Sequence, residues 1–411
     1  MDSGYRPRLV DALIEDLLAE LPAVMMTGPR ATGKTTTAER HAASVVHLDR
    51  PAEGAVFRAD PDVALREFDE PVLLDEWQEV PTILGAVKRA VDSDPQAGRF
   101  LLTGSVRADL DAATWPGTGR VVRVPMYGMT ARELLGRVTG TPLLDRLAAH
   151  DAVALPPDPL DLRGYVELAL TSGFPDPALR MSTRARVKWL DSYVDQLFTR
   201  DAVGIEPGRD PIMLGRYFEA LALNTAGVVA DTTLFEAAGI SRKTASAYDR
   251  LLANLFVVDT LPAWTSNRLK RLSRGSKRYV VDPALVASIL RLDVRSVLRD
   301  ADMLGRLLET FVVAQLRAEV VICATRPRLH HLREEHGRHE VDAVAELGGG
   351  DVLAFEVKAD AAPDRGAARH LTWLRDRLGD RFIHGVLFHT GPKAFELGER
   401  VTAAPICALW G

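Results

Sequence analysis

The sequence predicts a multidomain α/β protein, and three observations carry that prediction. A glycine-rich stretch, Gly28-Pro29-Arg30-Ala31-Thr32-Gly33-Lys34-Thr35, directly follows the apolar run Ala23-Val24-Met25-Met26 and opens a helix-compatible segment, Thr35 to Ala43. Two more apolar runs end in polar residues: Pro71-Val72-Leu73-Leu74-Asp75-Glu76 and Arg99-Phe100-Leu101-Leu102-Thr103-Gly104-Ser105. Finally, 411 residues exceed the size at which one core usually stops growing, so two to four domains are expected.

The first stretch spells G-x-x-x-x-G-K-T between a strand-like run and a helix, the context in which that spacing forms a phosphate-binding loop. Gly28 and Gly33 let successive backbone N–H groups converge on phosphate oxygens, and the following helix adds its positive dipole end. Lys34 reaches the terminal phosphates and the Thr35 hydroxyl takes a magnesium site. The expected cofactors are ATP and Mg2+, and the expected nucleotide contacts are Gly28, Pro29, Arg30, Ala31, Thr32, Gly33, Lys34, Thr35 and Thr36. At the second run's end Asp75 is expected to hold magnesium with Thr35, and Glu76 to polarise the attacking water. Ser105 or Thr103, ending the third run, is placed to sense the terminal phosphate. This P-loop ATPase core is expected over residues 1–135, with Lys34, Asp75, Glu76, Ser105 and Arg120 as its catalytic set. Arg120, just before the run Val121-Val122-Arg123-Val124, suits an arginine finger that stabilises charge in a neighbouring subunit's site. Arg107 and Arg123 are equally available, and a plain surface arginine is the competing reading.

Composition agrees with a soluble enzyme. No apolar run approaches the ~20 residues a membrane span needs, and the N-terminus lacks a signal-peptide pattern. Two cysteines, Cys323 and Cys407, are too few for a disulfide framework, so a reducing, cytoplasmic setting is expected. The net charge of −5 argues against a uniformly basic coat for nucleic acid, but basic patches occur after residue 180.

Residues 136–209 are expected to form a helical lid over the nucleotide. Pro156, Pro157 and Pro159 mark 151–160 as a linker, and Leu162 to Phe198 reads as helix interrupted at Gly173-Phe174-Pro175. Arg184, Arg186, Lys188 and Arg200 give that segment a basic face. Residues 210–290 carry the pattern of a winged helix: helices over Leu214–Thr225, Thr232–Ala238 and Arg242–Leu255, then strands over Phe256–Thr260 and Arg278–Val281. Ser241 is a good N-cap for the third helix, and a loop with Arg268, Lys270, Arg271, Arg274 and Lys277 forms the wing. The start of such a third helix faces the major groove while the wing lies along phosphates. Arg242, Lys243, Arg268, Lys270, Arg271 and Arg274 are therefore the expected DNA contacts, with protein contacts as the competing use.

The last segment, 291–411, carries a second candidate centre. His339 to Glu346 alternates as a strand does, Gly348-Gly349-Gly350 turns the chain, and Val352 to Lys358 returns. Glu356 and Lys358 fall on one face, beside Asp342 on the neighbouring strand, and Glu309 lies on a helix over Gly305–Ala318. Order and residue types give the D…E-x-K arrangement of a restriction-endonuclease-like α/β domain. There Glu309, Asp342 and Glu356 would hold a divalent metal and Lys358 would orient or deprotonate a water, although such folds also serve only to grip DNA.

Taken along nearly its full length, the chain resembles prokaryotic AAA-type P-loop ATPases that carry a C-terminal domain of unknown function with a restriction-endonuclease-like fold. The resemblance rests on Gly28–Thr35, Leu74-Asp75-Glu76-Trp77-Gln78, Leu102-Thr103-Gly104-Ser105, Gly119-Arg120, Arg200-Asp201, Glu340-Val341-Asp342 and Glu356-Val357-Lys358. Trp77 is the local departure. The resemblance fixes architecture more firmly than task. It implies an ATPase whose role in most members is unassigned. The basic winged-helix pattern leads to the expectation of an ATPase that binds and remodels DNA, branched or damaged DNA included, as a homo-oligomer such as a hexameric ring, with no membrane partner. An ATP-gated nuclease or switch in defence or stress signalling, and an ATP-binding scaffold for proteins, are the alternatives.

Overall fold

The computed structural model describes residues 4–105, 119–206, 208–265, 275–334 and 338–411. The chain divides into two compact units, Met1–Met129 with Ala253–Phe256, and Thr130–Leu252 with Val257–Gly411.

The first unit is built on a parallel sheet of β1 (Ala23–Thr27), β2 (Ser44–His47), β3 (Val72–Asp75), β4 (Phe100–Gly104) and β5 (Val122–Pro125), in the order β2-β3-β4-β1-β5. β1, β3 and β4 are buried almost throughout, which is why they read as unbroken apolar runs. Ala23, Met25, Val72, Leu74 and Leu102 pack with Phe57, Ile83 and Val87 in one core cluster. Because all five strands run the same way, the carboxyl ends of β1, β3 and β4 lie at one edge, where open α/β sheets bind ligands. The helix after β1 is shorter than its sequence suggests: it covers Lys34–Ala38, tightens into a 3-10 turn at Glu39–His41, and gives way to β2.

Trp77, the sequence departure, is a core residue. It is buried in the same cluster, and a Cβ on Gly104 would lie 2.4 Å from its indole Nε1, so the glycine at the end of β4 makes room for the ring.

The second unit begins with short helices, including Leu162–Ala169, Pro175–Arg180 and Thr183–Gln196, the last running on as a π-turn over Leu197–Asp201. Helices Pro211–Leu223, Asp231–Ala238 and Arg242–Asn254 follow, and then the antiparallel ribbon of β6 (Val258–Leu261) and β7 (Lys277–Val280). Gly239 takes the left-handed backbone (φ 69°) between the second and third of these helices, and the Ser241 hydroxyl accepts from the Thr244 N–H at 3.1 Å, the expected N-cap. The wing residues Arg268, Lys270, Arg271 and Arg274 lie outside the described residues. Lys277 corrects the expectation for the loop: it is the first residue of β7, and its side chain is buried.

A 22-residue helix, Ala301–Ile322, then leads to a mixed sheet of β8 (Arg328–Glu334), β9 (His339–Glu346), β10 (Val352–Val357), β11 (Phe382–His389), β12 (Phe395–Gly398) and β13 (Val401–Pro405). Its order is β12-β13-β11-β10-β9-β8, with β10, β11 and β13 mutually parallel along the middle. Leu371 and Leu374 of the helix Arg369–Leu378 pack with Val341, Val344, Ala354 and Leu387 in the core of this sheet.

A buried ion pair fastens the start of this unit to the long helix. Arg132 Nη1 lies 3.2 Å from Glu319 Oε1, Glu319 Oε2 accepts from the Leu143 N–H at 3.0 Å, and the Gln315 amide oxygen accepts from the Ala131 N–H at 2.7 Å. Both ionic side chains are nearly enclosed. Arg132→Ala leaves the Glu319 carboxylate buried without its cation and the Arg137, Thr139 and Gly140 carbonyls without their donor, and thermal unfolding is expected to show a loss of about 3–5 kcal/mol, of which adding Glu319→Gln recovers the part due to the buried charge.

Candidate functional site

The loop between β1 and the helix Lys34–Ala38 is held from several directions. A Cβ on Gly28 would stand 2.0 Å from the Met126 carbonyl oxygen, so only glycine permits this approach to the chain leaving β5. Gly33 adopts φ 89° as it turns the loop into the helix, the left-handed region where glycine carries no steric penalty. The Thr32 hydroxyl donates to Pro29 O at 2.8 Å, and the buried Arg8 guanidinium donates to Thr32 O at 2.7 Å and Tyr127 O at 2.8 Å. No sequence pattern marks Arg8, because its partners are backbone carbonyls far along the chain.

Lys34 is buried, and its ammonium donates to Gly28 O at 3.0 Å and Pro29 O at 2.7 Å. Burial pulls its pKa down to about 8, against the opposing pull of Glu76 and Asp75. The lysine is thus a cation in a poorly solvating place, set among loop backbone that suits anionic oxygens.

Asp75 is the meeting point. Its Oδ1 accepts from the Thr35 hydroxyl at 2.7 Å and from the Thr103 hydroxyl, and its Oδ2 lies 3.1 Å from His47 Nδ1. Pairing of His47 with Asp75 in the β2–β3 register puts the imidazole there. Glu76, next in the chain, takes the left-handed backbone (φ 53°), which turns its side chain away from the line of β3. Its Oε2 receives the Gln78 amide and the Ser105 hydroxyl (3.2 Å), while the Glu76 N–H donates to Thr103 Oγ1 at 3.3 Å. Lys34, Thr35, Asp75, Glu76, Thr103 and Ser105 are therefore brought to one strand edge, as their order along the chain suggested. Thr35 and Asp75 present oxygen donors to the same point, a chemistry that suits magnesium.

Residues 20–135 match the family described as an AAA domain. That stretch of the chain is thus similar to AAA domains, and it contains Gly28–Thr35, Asp75, Glu76 and Ser105. Residues 162–296 match a domain of unknown function (DUF8612), and residues 304–409 match another (DUF4143). The chain is 28% identical over 399 residues to the uncharacterized protein Rv2008c of Mycobacterium tuberculosis and to the uncharacterized protein Mb2031c of Mycobacterium bovis. In each case the match covers 96% of this chain and 82% of the relative. Among solved structures, the Walker-type ATPase paby2304 of Pyrococcus abyssi aligns with a TM-score of 0.44 and 14% identity, over 71% of this chain and 97% of that one. Among the described residues no helix is long and apolar enough to cross a membrane.

Two residues that matter to the P-loop domain's geometry were not singled out as site residues by sequence: His47, on a four-residue strand too short to read, and Gln78, visible only as part of a motif. Arg120 Nε donates to Asp92 at 2.7 Å on the exposed surface, and Arg123 is exposed on the edge strand β5. Arg107 lies outside the described residues.

In the second unit, Arg242 and Lys243 are exposed in the first turn of their helix. The carboxylate centre differs from its expected form. Lys277 Nζ lies 2.6 Å from Glu309 Oε1 and 3.0 Å from Asp342 Oδ1, and the Tyr279 hydroxyl donates to Glu309 Oε1 at 2.6 Å. Asp342 Oδ2 accepts from the Val357 N–H at 3.0 Å. Glu356 is buried, and neither of its oxygens has a hydrogen-bond partner; Lys358 Nζ stands 3.4 Å from Oε2. Among the described residues no group of three or more His, Cys, Asp or Glu side chains is placed to hold a metal. Glu309 and Asp342 thus flank the Lys277 ammonium, and Glu356 stands beside Lys358. Neither Lys277 nor Tyr279 was read as part of this centre, because nothing local to either one reports a carboxylate on a distant helix.

Burial raises the Glu356 pKa to about 8, with the Asp342 charge adding to it. Such a carboxyl holds its proton more tightly folded than unfolded, so its contribution to stability falls as pH climbs from 4.5 towards about 8. Glu356→Gln mimics the protonated form. Its melting temperature is expected to match that of the parent near pH 5 and to exceed it near pH 9 by the equivalent of a few kcal/mol. A variant less stable than the parent at pH 9 would show that the ionised carboxylate stabilises the fold.

Proposed function

We propose that the chain is an ATP-hydrolysing P-loop ATPase that uses magnesium and works on DNA. The observation that carries the ATPase reading is the convergence of the Thr35 hydroxyl and the Asp75 carboxylate beside the enclosed Lys34 ammonium, with Glu76 turned out of β3 next to them. Thr35 and Asp75 would hold the magnesium, which supplies neutralising charge to the phosphate oxygens. The Gly28–Thr36 backbone and Lys34 take the phosphates, and Glu76 accepts a proton from, or orients, the attacking water. Gln78 and Ser105 hold the Glu76 carboxylate, so they set when that carboxylate is free to meet water. An arginine from another copy of the chain would complete the charge balance; Arg120, which pairs with Asp92, and Arg123 are the candidates on the exposed surface.

The DNA reading draws on Arg242 and Lys243, exposed at the start of a capped helix that is third in a row of three and followed by an antiparallel ribbon. That order of elements supports a winged helix, whose recognition helix would bring both side chains to phosphates or base edges. Gating of a nuclease, the alternative drawn from the C-terminal carboxylates, finds less support, since two of them, Glu309 and Asp342, are joined to Lys277.

Steady-state ATPase assays with magnesium test the first part. Lys34→Ala is expected to abolish turnover, and Glu76→Gln to keep nucleotide binding while slowing hydrolysis by about 100-fold or more. Parental turnover in Glu76→Gln would remove that residue from water activation.

DNA tests the second part. Duplex or branched DNA is expected to stimulate turnover at low salt and to lose effect as salt rises, and Arg242→Ala with Lys243→Ala is expected to weaken the stimulation and flatten its salt dependence. Turnover indifferent to DNA at every salt concentration would set the DNA reading aside while leaving the ATPase intact.

A further inference from the structure

The fold resemblance of residues 291–411 implies a divalent metal held by Glu309, Asp342 and Glu356, and the residues present do not fit one. A cation bridging Glu309 and Asp342 at metal–oxygen distances of about 2.0–2.6 Å would need the space that the Lys277 ammonium fills, 2.6 Å from one carboxylate and 3.0 Å from the other. The lysine has no easy exit. Its side chain is 2% exposed, and β7 is held in register against β6, with Leu261 opposite Lys277 and Asp259 opposite Tyr279. Tyr279, two residues along and on the same face of the strand, donates to Glu309, so one strand face engages this glutamate twice. Asp342 has its second oxygen committed to the Val357 N–H, and Glu340 contributes a third carboxylate 3.8 Å from the ammonium. Glu356 follows the last β9–β10 pair, Phe355 with Ala343, on the same ladder as Asp342, yet its nearest cation is Lys358.

We propose that Lys277 is a built-in cation that replaces a divalent metal at the Glu309–Asp342 pair, making this centre a metal-independent joint instead of a hydrolytic site. The joint fastens the β6–β7 ribbon, which follows the helix bearing Arg242 and Lys243, to the long helix through Glu309 and to the C-terminal sheet through Asp342. The second unit then acts on a bound partner by holding it, and phosphodiester cleavage is not among its activities. This inference does not depend on ATP hydrolysis by the first unit.

Mn2+ is the probe. With the full chain and no nucleotide, Mn2+ binding is followed by electron paramagnetic resonance in the parent and in Asp342→Asn. Equal binding by the two is expected. Binding by the parent that Asp342→Asn removes would overturn the proposal, as would Mn2+-dependent cutting of DNA that Asp342→Asn abolishes. Thermal unfolding in the presence of a chelator supplies an independent reading. Lys277→Met, which keeps the aliphatic stem and removes the charge, is expected to lower the melting temperature by roughly 10 °C, because two carboxylates are left facing each other in an enclosed place. A melting temperature equal to the parent's would overturn the role given to the ammonium. Should Lys277→Met fail to fold, the comparison of parent and Asp342→Asn still decides the matter.

Discussion

The candidate site of the first unit depends on a single carboxylate at the end of β3. Asp75 takes hydroxyl donors from Thr35 after β1 and Thr103 in β4, and faces the imidazole of His47 from β2, so one side chain gathers four parallel strands. Parallel pairing makes this possible, since it sends the carboxyl ends of these strands to one edge and sets His47 opposite Asp75. A carboxylate offers several lone pairs, and in an enclosed setting each donor it satisfies also fixes the strand that carries it. The phosphate loop, the acidic strand end and the Thr103-Gly104-Ser105 terminus are positioned by mutual contact as much as by the sheet behind them.

Two enclosed lysines show how the units handle charge differently. Lys34 rests on two backbone carbonyls, with its pKa drawn down by burial, so an approaching anion would better its surroundings. Lys277 lies directly between carboxylates; burial pulls its pKa down too, yet their charges carry it well above the usual range. The partners decide the outcome. The first lysine rests on neutral carbonyls, while the second lies between its counter-charges.

What the sequence disclosed follows from where each signal resides. β1, β3 and β4 stand out because strands covered on both faces are apolar throughout, and the loop is legible because its glycines answer to backbone geometry at Gly28 and Gly33. β2 escapes notice: four residues, only Val46 fully buried, cannot establish a period, and His47 is lost with it. Trp77 looked arbitrary until Gly104, 27 positions away, proved to be the space it occupies. Lys277 was misassigned because it follows a run of basic residues, and the carboxylates that claim it are 32 and 65 positions further on. Motifs carry contacts that are close in the chain; pairings made by the tertiary fold leave no local trace.

The register of β7 also limits how this chain can vary in length. Lys277 and Tyr279 occupy one face of the strand, and Arg278 points the other way, towards Asp231 and Asp249. Moving β7 by one position would exchange those faces, presenting Arg278 and Val280 to Glu309. Any change of length between Leu261 and Lys277 must therefore leave those two as partners, so the phase of the strand is what the centre constrains.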